Sequence, residues 1–258
     1  MSKVYTTEIT SEDIPSDNPI HQRLLKAYVV AEDYIQGDVL EVGCGEGRGI
    51  DRVLPKAKSY SAIDKIADVI DKLKIKYPTG KFFSGNIPPF GPFSDNSFDI
   101  VITFQVIEHI QDDVAFLKEI HRVLKPGGFA MVTTPNRPMS LSRNPWHIRE
   151  YTGRELGDLA GTIFPRVEVK GISGNDKVME YYQRNKKSVE RITKWDIFDL
   201  QHRLPASVLR IPYEMLNRRN RNKLKDGADE LVTSIKHQDY TVTGTAEGAL
   251  DLLVFAYK

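Results

Sequence analysis

The stretch Val39-Leu40-Glu41-Val42-Gly43-Cys44-Gly45-Glu46-Gly47 constrains this chain more than any other. It reads as a buried strand that breaks into a turn of alternating glycines. Glycine has no Cβ and tolerates positive φ. Three of them at 43, 45 and 47 permit a sharp reversal and leave backbone N–H groups free beside the following helix. The turn is therefore a site for a small, flat or anionic ligand.

The spacing excludes the commoner ligands of such turns. The dinucleotide fingerprint G-x-G-x-x-G fails, because Arg48 occupies the third glycine slot counted from Gly43 and Ile50 the third counted from Gly45. No G-x-x-x-x-G-K-[ST] sequence is present, so a phosphate-cradling nucleotide loop has no support. A second strand, Ser59 to Ile63, ends at Asp64. A carboxylate at a strand's C-terminal end, about 20 positions past the glycines, is placed to accept both hydroxyls of a ribose. The alternative reading of Asp64 is a cap on the helix that begins near Ile66.

Gly85-Asn86-Ile87 closes a third strand, and Phe98 to Phe104 is a fourth whose unbroken apolar run implies burial on both faces. A helix follows from Asp112 to Leu124, with acids in its first turn, Val114, Leu117, Ile120 and Leu124 on one face, and Pro126-Gly127-Gly128 as its stop. Phe129 to Thr134 is the fifth strand, Pro135 to Glu150 a long loop, Tyr151 to Ala160 a helix and Val167 to Ile172 the sixth strand. The chain closes on a strand-like run, Ala249 to Tyr257. Strands alternating with helices predict a doubly wound α/β fold, mostly parallel.

Glu41, Gly43, Gly45 and Gly47 resemble the first motif, E/D-x-G-x-G-x-G, of class I S-adenosylmethionine-dependent methyltransferases. The pieces Phe93 to Asp99, Val106-Ile107-Glu108-His109-Ile110 and Leu124-Lys125-Pro126-Gly127-Gly128 follow in the order and spacing typical of that family's small-molecule branch, the methyltransferase type 11 group. The resemblance implies a seven-stranded Rossmann-like sheet with a helical insertion before its last strand. It also implies S-adenosyl-L-methionine as cofactor, bound by Glu41, Gly43, Cys44, Gly45, Gly47, Asp64, Asn86, Ile87 and Gln105. Asn86 stands where the family usually has an aspartate beside the adenine, which keeps hydrogen bonding but changes the donor and acceptor pattern.

Four segments are expected: an N-terminal helical cap over 1–37, a cofactor-binding core over 38–174, a helical insertion over 175–248 and a final core strand over 249–258. Ser16-Asp17-Asn18-Pro19 is read as starting a helix by capping, with Ile20, Leu24, Ala27, Tyr28 and Ala31 as its apolar stripe. His21, Arg23 and Tyr28 on that helix are candidates for the site. The insertion is too long for a plain loop. Helices are expected over Val178 to Trp195, Ile197 to Arg203 and Tyr213 to Leu224, with Pro205 and Pro212 as breaks. Tyr181, Tyr182, Trp195, Phe198 and Tyr213 stand there among many arginines and lysines, and family insertions at this point form a lid over the acceptor. For the basic cluster at 218–225, a solvated helix face is the alternative.

Methyl transfer is displacement at carbon with an activated sulfonium leaving group, so alignment supplies most of the catalysis and a general base is needed only for some acceptors. The available bases are Glu108, His109, His147 and Glu150, with His147 and His109 the catalytic candidates because both follow strands of the sheet. No metal is expected, since Thr133-Thr134-Pro135-Asn136 lacks the paired acids of the metal-dependent catechol type.

Net charge of +1 gives no pull toward nucleic acid or membrane. The polar N-terminus and the lone Cys44 suggest a cytoplasmic protein with no disulfide and no transmembrane segment. The expected acceptor is a small molecule, sugar or lipid-linked glycan. The alternatives are an RNA or other macromolecule methyltransferase, against which Thr103-Phe104-Gln105-Val106 lacks the Asn/Asp-Pro-Pro-Tyr/Phe run, and a non-catalytic S-adenosylmethionine-binding protein. The sequence leaves the oligomeric state open.

Overall fold

The computed structural model describes residues 14–194, 200–227 and 229–258. After a short 3₁₀ turn, Pro15–Asp17, the elements are α1 Asn18–Ala31, β1 Asp38–Val42, α2 Ile50–Val53, β2 Ser59–Asp64, α3 Ala67–Lys76, β3 Lys81–Ser84 and β4 Phe98–Phe104. Then come α4 Asp113–Val123, β5 Leu124–Pro135, α5 Gly153–Gly161 and β6 Arg166–Gly174. The last stretch holds α6 Asp176–Thr193, α7 Leu200–Arg203, α8 Ala206–Gly227, α9 Asp229–Ser234, β7 Tyr240–Thr243 and β8 Asp251–Tyr257.

The strands form one sheet in the order β3-β2-β1-β4-β5-β8-β6-β7. The β3-β2-β1-β4-β5 pairings are parallel, and β8 pairs antiparallel with β5 and β6 on either side. The order in which strands are added reverses between β1 and β4, and the C-terminal ends of these two strands carry the glycine turn and Gln105. Side chains alternate across the sheet: Val39 and Leu253 pack into one core with α1 and α3, while Leu40 and Leu252 pack into the other with α4 and α5. Both faces are therefore covered, as the continuous apolar strands imply.

The sheet has eight strands rather than seven. The extra strand, β7, pairs antiparallel with β6 from Gly171↔Thr243 to Gly174↔Tyr240. It lies within the segment expected to be a helical insertion, and four residues give too little alternation to be distinguished from loop. Pro212 also departs from expectation, because it lies inside α8 instead of ending a helix. Its ring removes one backbone donor, but the helix continues through it. Trp195 and Phe198 lie outside the described residues.

The start of α1 is the third difference. Asp17 makes no side-chain cap. Its carboxylate is fully buried, and Oδ1 accepts from Arg218 at 2.7 Å and Arg221 at 3.1 Å, both on α8. Two members of the basic cluster thus point inward and clamp the insertion to the N-terminal helix. Neighbouring contacts reinforce this: Asn18 donates to the Val232 and Ile235 carbonyls, and the Tyr240 hydroxyl donates to the Pro19 carbonyl. A long segment folds onto α1 because its cations find a buried anion there. Among the described residues no helix is long and apolar enough to cross a membrane.

Removing one partner of a buried ion pair costs about 3–5 kcal/mol. Asp17→Ala should therefore lower the unfolding free energy by an amount in that range, read by urea denaturation, whereas exposed Lys223→Ala should change it by no more than about 0.5 kcal/mol.

Candidate active site

Two clefts open at the C-terminal ends of the parallel strands. The first, about 310 Å³, is walled by the glycine turn, Asp64, Asn86, Ile87, Gln105 and His109, with His21 and Tyr28 of α1 across it. Gly43, Gly45 and Gly47 all have positive φ, at 79°, 49° and 82°. Their freedom serves different ends. A Cβ on Gly43 would come within 2.3 Å of Val106, and one on Gly47 within 2.7 Å of Leu73, whereas one on Gly45 would meet nothing within 4 Å. Two of the glycines let the turn pack tightly, and the third carries the reversal at its open edge.

A fourth glycine positions α1. A Cβ on Gly49 would fall 1.8 Å from the Tyr28 ring, so glycine there is what lets that ring lie on the turn. Tyr28 also packs edge-on to Phe104 at 4.9 Å and donates its hydroxyl to Glu41 at 2.6 Å. Glu41 accepts a second hydroxyl, from Tyr60. Buried in this way, the Glu41 carboxyl is pushed up to about 7. Glu41 differs from expectation: it lies beneath the turn and is not part of the cleft wall. The pleat of β1 directs its side chain into the core with Val39 and Tyr28, where the two phenols hold it.

Asp64 faces the cleft with both oxygens already engaged by backbone, Oδ2 by Gly45 N–H at 2.9 Å and Oδ1 by Ile66 N–H at 3.0 Å. A carboxylate offers about four lone pairs, so two remain for ribose hydroxyls. Asp64 is not the cap of α3, whose N-cap is Ile66 with no side-chain cap hydrogen bond; it braces the turn before the helix and keeps acceptor capacity toward the cleft. Gly43, Cys44, Gly45, Gly47, Asn86, Ile87 and Gln105 share this wall. Burial pushes the Cys44 thiol up, so it is a small neutral group rather than a nucleophile. Gln105 adopts φ of 59°, a left-handed conformation uncommon outside glycine, and its N–H and side chain both reach Thr133 of β5.

The second cleft, about 250 Å³, lies between the core and the insertion. Tyr181, Tyr182, Asn185, Tyr213, Asn217 and Arg221 of the insertion line it opposite His109 and His147. The loop after β5 forms its floor and is held from both sides. Ile148 N–H donates to the Glu108 carbonyl at 2.7 Å, Tyr182 donates to the Met139 carbonyl, and Arg210 lies over the Trp146 ring at 4.1 Å. Arg23 of α1 reaches the same cleft and pairs with Asp251, whose carboxyl is pushed up to about 6, by burial first and by nearby Glu108, against the pull of Arg23.

The two histidines stand side by side, ring centroids 5.0 Å apart and nearly perpendicular. His109 Nδ1 lies 2.9 Å from the Trp146 carbonyl. A carbonyl only accepts, so Nδ1 carries the proton and Nε2 is bare in the neutral ring. His147 Nδ1 is 2.6 Å from a Glu150 carboxylate oxygen, and its Nε2 is 2.8 Å from the Asn144 amide nitrogen. Burial pushes Glu150 up, but the His147 and Ser140 hydrogen bonds prevail and hold it below its ordinary value. Glu108, His109 and His147 together bring three donor atoms within 4.8 Å of one another. All three were named from the sequence as available bases; their closeness joins residues 38 positions apart and is set by the tertiary fold.

Comparison with known proteins agrees with this geometry. Residues 40–132 match the model of a methyltransferase domain. Residues 40–132 are thus a methyltransferase domain, and the fold is that of class I S-adenosylmethionine-dependent methyltransferases. Over 136 residues the chain is 40% identical to a "Probable S-adenosylmethionine-dependent methyltransferase" of Mycolicibacterium smegmatis, covering 51% of this chain and 52% of that one. The alignment thus spans about half the length of that relative. The chain also resembles, at a TM-score of 0.58 and 14% identity over 93% of this chain and 91% of the other, a Thermotoga maritima structure titled "SAM-dependent methyltransferase, possible histamine N-methyltransferase". A [4+2]-cyclase, SpnF, shares the fold at a TM-score of 0.53 and 17% identity, covering 91% of this chain and 80% of its own. The fold alone therefore leaves the reaction open.

Two outcomes test the methyltransferase domain's wiring. Asp64→Ala should weaken binding of S-adenosylhomocysteine ten- to a hundredfold by calorimetry, the scale of about 1.5–3 kcal/mol for hydrogen bonds to a charged group, while the protein stays folded. Glu41 has a folded-state pKa near 7, raised above its ordinary 4.5. Its contribution to stability is therefore full below pH 4.5 and lost as pH rises to about 7. Urea unfolding across that range should show Glu41→Gln gaining on the wild type with rising pH, by up to about 3 kcal/mol at 1.36 kcal/mol per unit.

Proposed function

We propose that the protein transfers the methyl group of S-adenosylmethionine to a small-molecule, sugar or lipid-linked acceptor held beneath the insertion. The observation that carries this reading is the meeting of the two clefts. Leu24, Gln105 and His109 line both, so a ligand in one faces a ligand in the other across these side chains. Bound in the first cleft, S-adenosylmethionine supplies an electrophilic methyl on a sulfonium. The glycine turn would hold its polar end, Asp64 its ribose hydroxyls, and Asn86 with Ile87 its adenine.

The remaining work falls to this chain's side chains. Tyr181, Tyr182 and Tyr213 offer flat apolar faces with hydroxyls, and Asn185, Asn217 and Arg221 offer donors, a mixture suited to a polar organic acceptor. The acceptor lone pair attacks the methyl carbon as the carbon–sulfur bond breaks, and the acceptor's proton passes to His109 Nε2. The Trp146 carbonyl fixes the His109 ring in the tautomer this requires. His147 lies within reach of the same acceptor and is oriented by Glu150. The insertion acts as a lid that excludes water from the pair of ligands.

Incubation with methyl-labelled S-adenosylmethionine and a panel of hydroxylated acceptors, followed by mass spectrometry, tests the reading directly. Binding of S-adenosylhomocysteine with no labelled product from any acceptor would favour a sensor instead. His109→Ala should lower kcat by about 10² or more while leaving S-adenosylhomocysteine affinity within a few-fold.

A further inference from the structure

We infer that Glu108, His109 and His147 form a binding site for a divalent transition-metal ion, zinc-like in its preferences, at the junction of the two clefts. Three observations carry this. The first is the donor set: two imidazoles and a carboxylate whose ligand atoms already lie within 4.8 Å of one another. Nitrogen and oxygen ligands at about 2.0–2.2 Å from an ion sit about 3–4 Å apart, so small side-chain rotations close the set. Imidazole with carboxylate suits zinc, iron or nickel better than magnesium or calcium, which prefer oxygen alone.

The second observation concerns the atoms behind the ligands. Both histidines use Nδ1 for an acceptor, His109 the Trp146 carbonyl and His147 the Glu150 carboxylate. Glu150 is anchored in turn by the Ser140 hydroxyl. Metal-binding histidines are held by this kind of partner, which turns the other ring nitrogen toward the ion and raises its basicity. The Asn144 amide now sits on His147 Nε2 and would give way to the ion, while its Oδ1 keeps its bond to Trp146 N–H.

The third observation is electrostatic. Glu108 is 1% exposed, and among the described residues its carboxylate accepts from a neutral hydroxyl, that of Thr134, with no lysine or arginine paired to it. Buried carboxylates are ordinarily paired with a cation or coordinate a metal. An ion here would provide that charge. It would also leave open positions toward the second cleft, which His109, His147 and Glu108 all line, so an acceptor oxygen could complete its coordination. The preferred acceptor is then a hydroxyl-bearing molecule: His109, the base when the site is empty, would hold the ion instead, and the ion would acidify the bound hydroxyl so that its proton passes to water as the methyl is transferred. This role rests on the methyl-transfer reading, but the binding of the ion does not.

The test is titration of chelator-treated full-length protein with Zn²⁺ by calorimetry, and with Co²⁺ by visible absorption, with S-adenosylhomocysteine binding measured on each sample. One equivalent should bind, with Co²⁺ bands of low coordination number. His109→Ala and His147→Ala should each weaken it at least a hundredfold, and Glu150→Gln ten- to a hundredfold, with S-adenosylhomocysteine affinity unchanged. A wild type that binds S-adenosylhomocysteine but no Zn²⁺ or Co²⁺ would overturn the site and leave the methyl-transfer reading standing. Metal affinity undiminished in both histidine variants would equally overturn it. Metal binding without S-adenosylhomocysteine binding would keep the site and remove the cofactor reading.

Discussion

Helix α1 is fixed by buried carboxylates near both of its ends, and the two clefts depend on that. Near its C-terminal end, Tyr28 donates to Glu41 and rests on Gly49. Just before its N-terminal end, Asp17 holds Arg218 and Arg221 of the insertion. The helix is thereby tied to the glycine turn at one end and to the insertion at the other. Neither end relies on helix propensity. Each depends on the cost of leaving a buried polar group without its partner, which is larger than the net gain from making one exposed hydrogen bond.

The loop after β5 is the second element on which function turns. It is irregular backbone, yet it is fixed by donors and acceptors from three directions: the Glu108 carbonyl, the Met139 carbonyl reached by Tyr182, and the Trp146 ring under Arg210. That fixing is what makes the histidine pair a defined geometry. Without it, His147 would be one more loop residue. The same fixing links the insertion to the histidine pair, because Arg210 and Tyr182 belong to the insertion while the Trp146 carbonyl orients His109.

Much of the core could be read from residues alone. The apolar run of β4, the helix from 113 to 123 and the turn at 43–47 are local signals, decided by side-chain period and by glycine's freedom at positive φ. Asp64, Asn86 and Gln105 were legible for a similar reason. Each follows a strand, and in a parallel sheet the strand ends on one side gather around a single crevice.

What the chain determined by itself was therefore the alternation of strands and helices, the glycine turn and the strand-end residues that line the first cleft, all encoded over a few residues. Tertiary structure decided what depends on distant partners. It turned Asp17 from a helix cap into an ion-pair clamp some 200 residues from its arginines, drew Glu41 beneath the cleft between two phenols, and paired β7 with β6. It also brought His109 and His147 ring against ring. Periodicity and capping rules act within one or two turns of chain, whereas the pairing of a buried charge is settled only when every element that could neutralise it has packed.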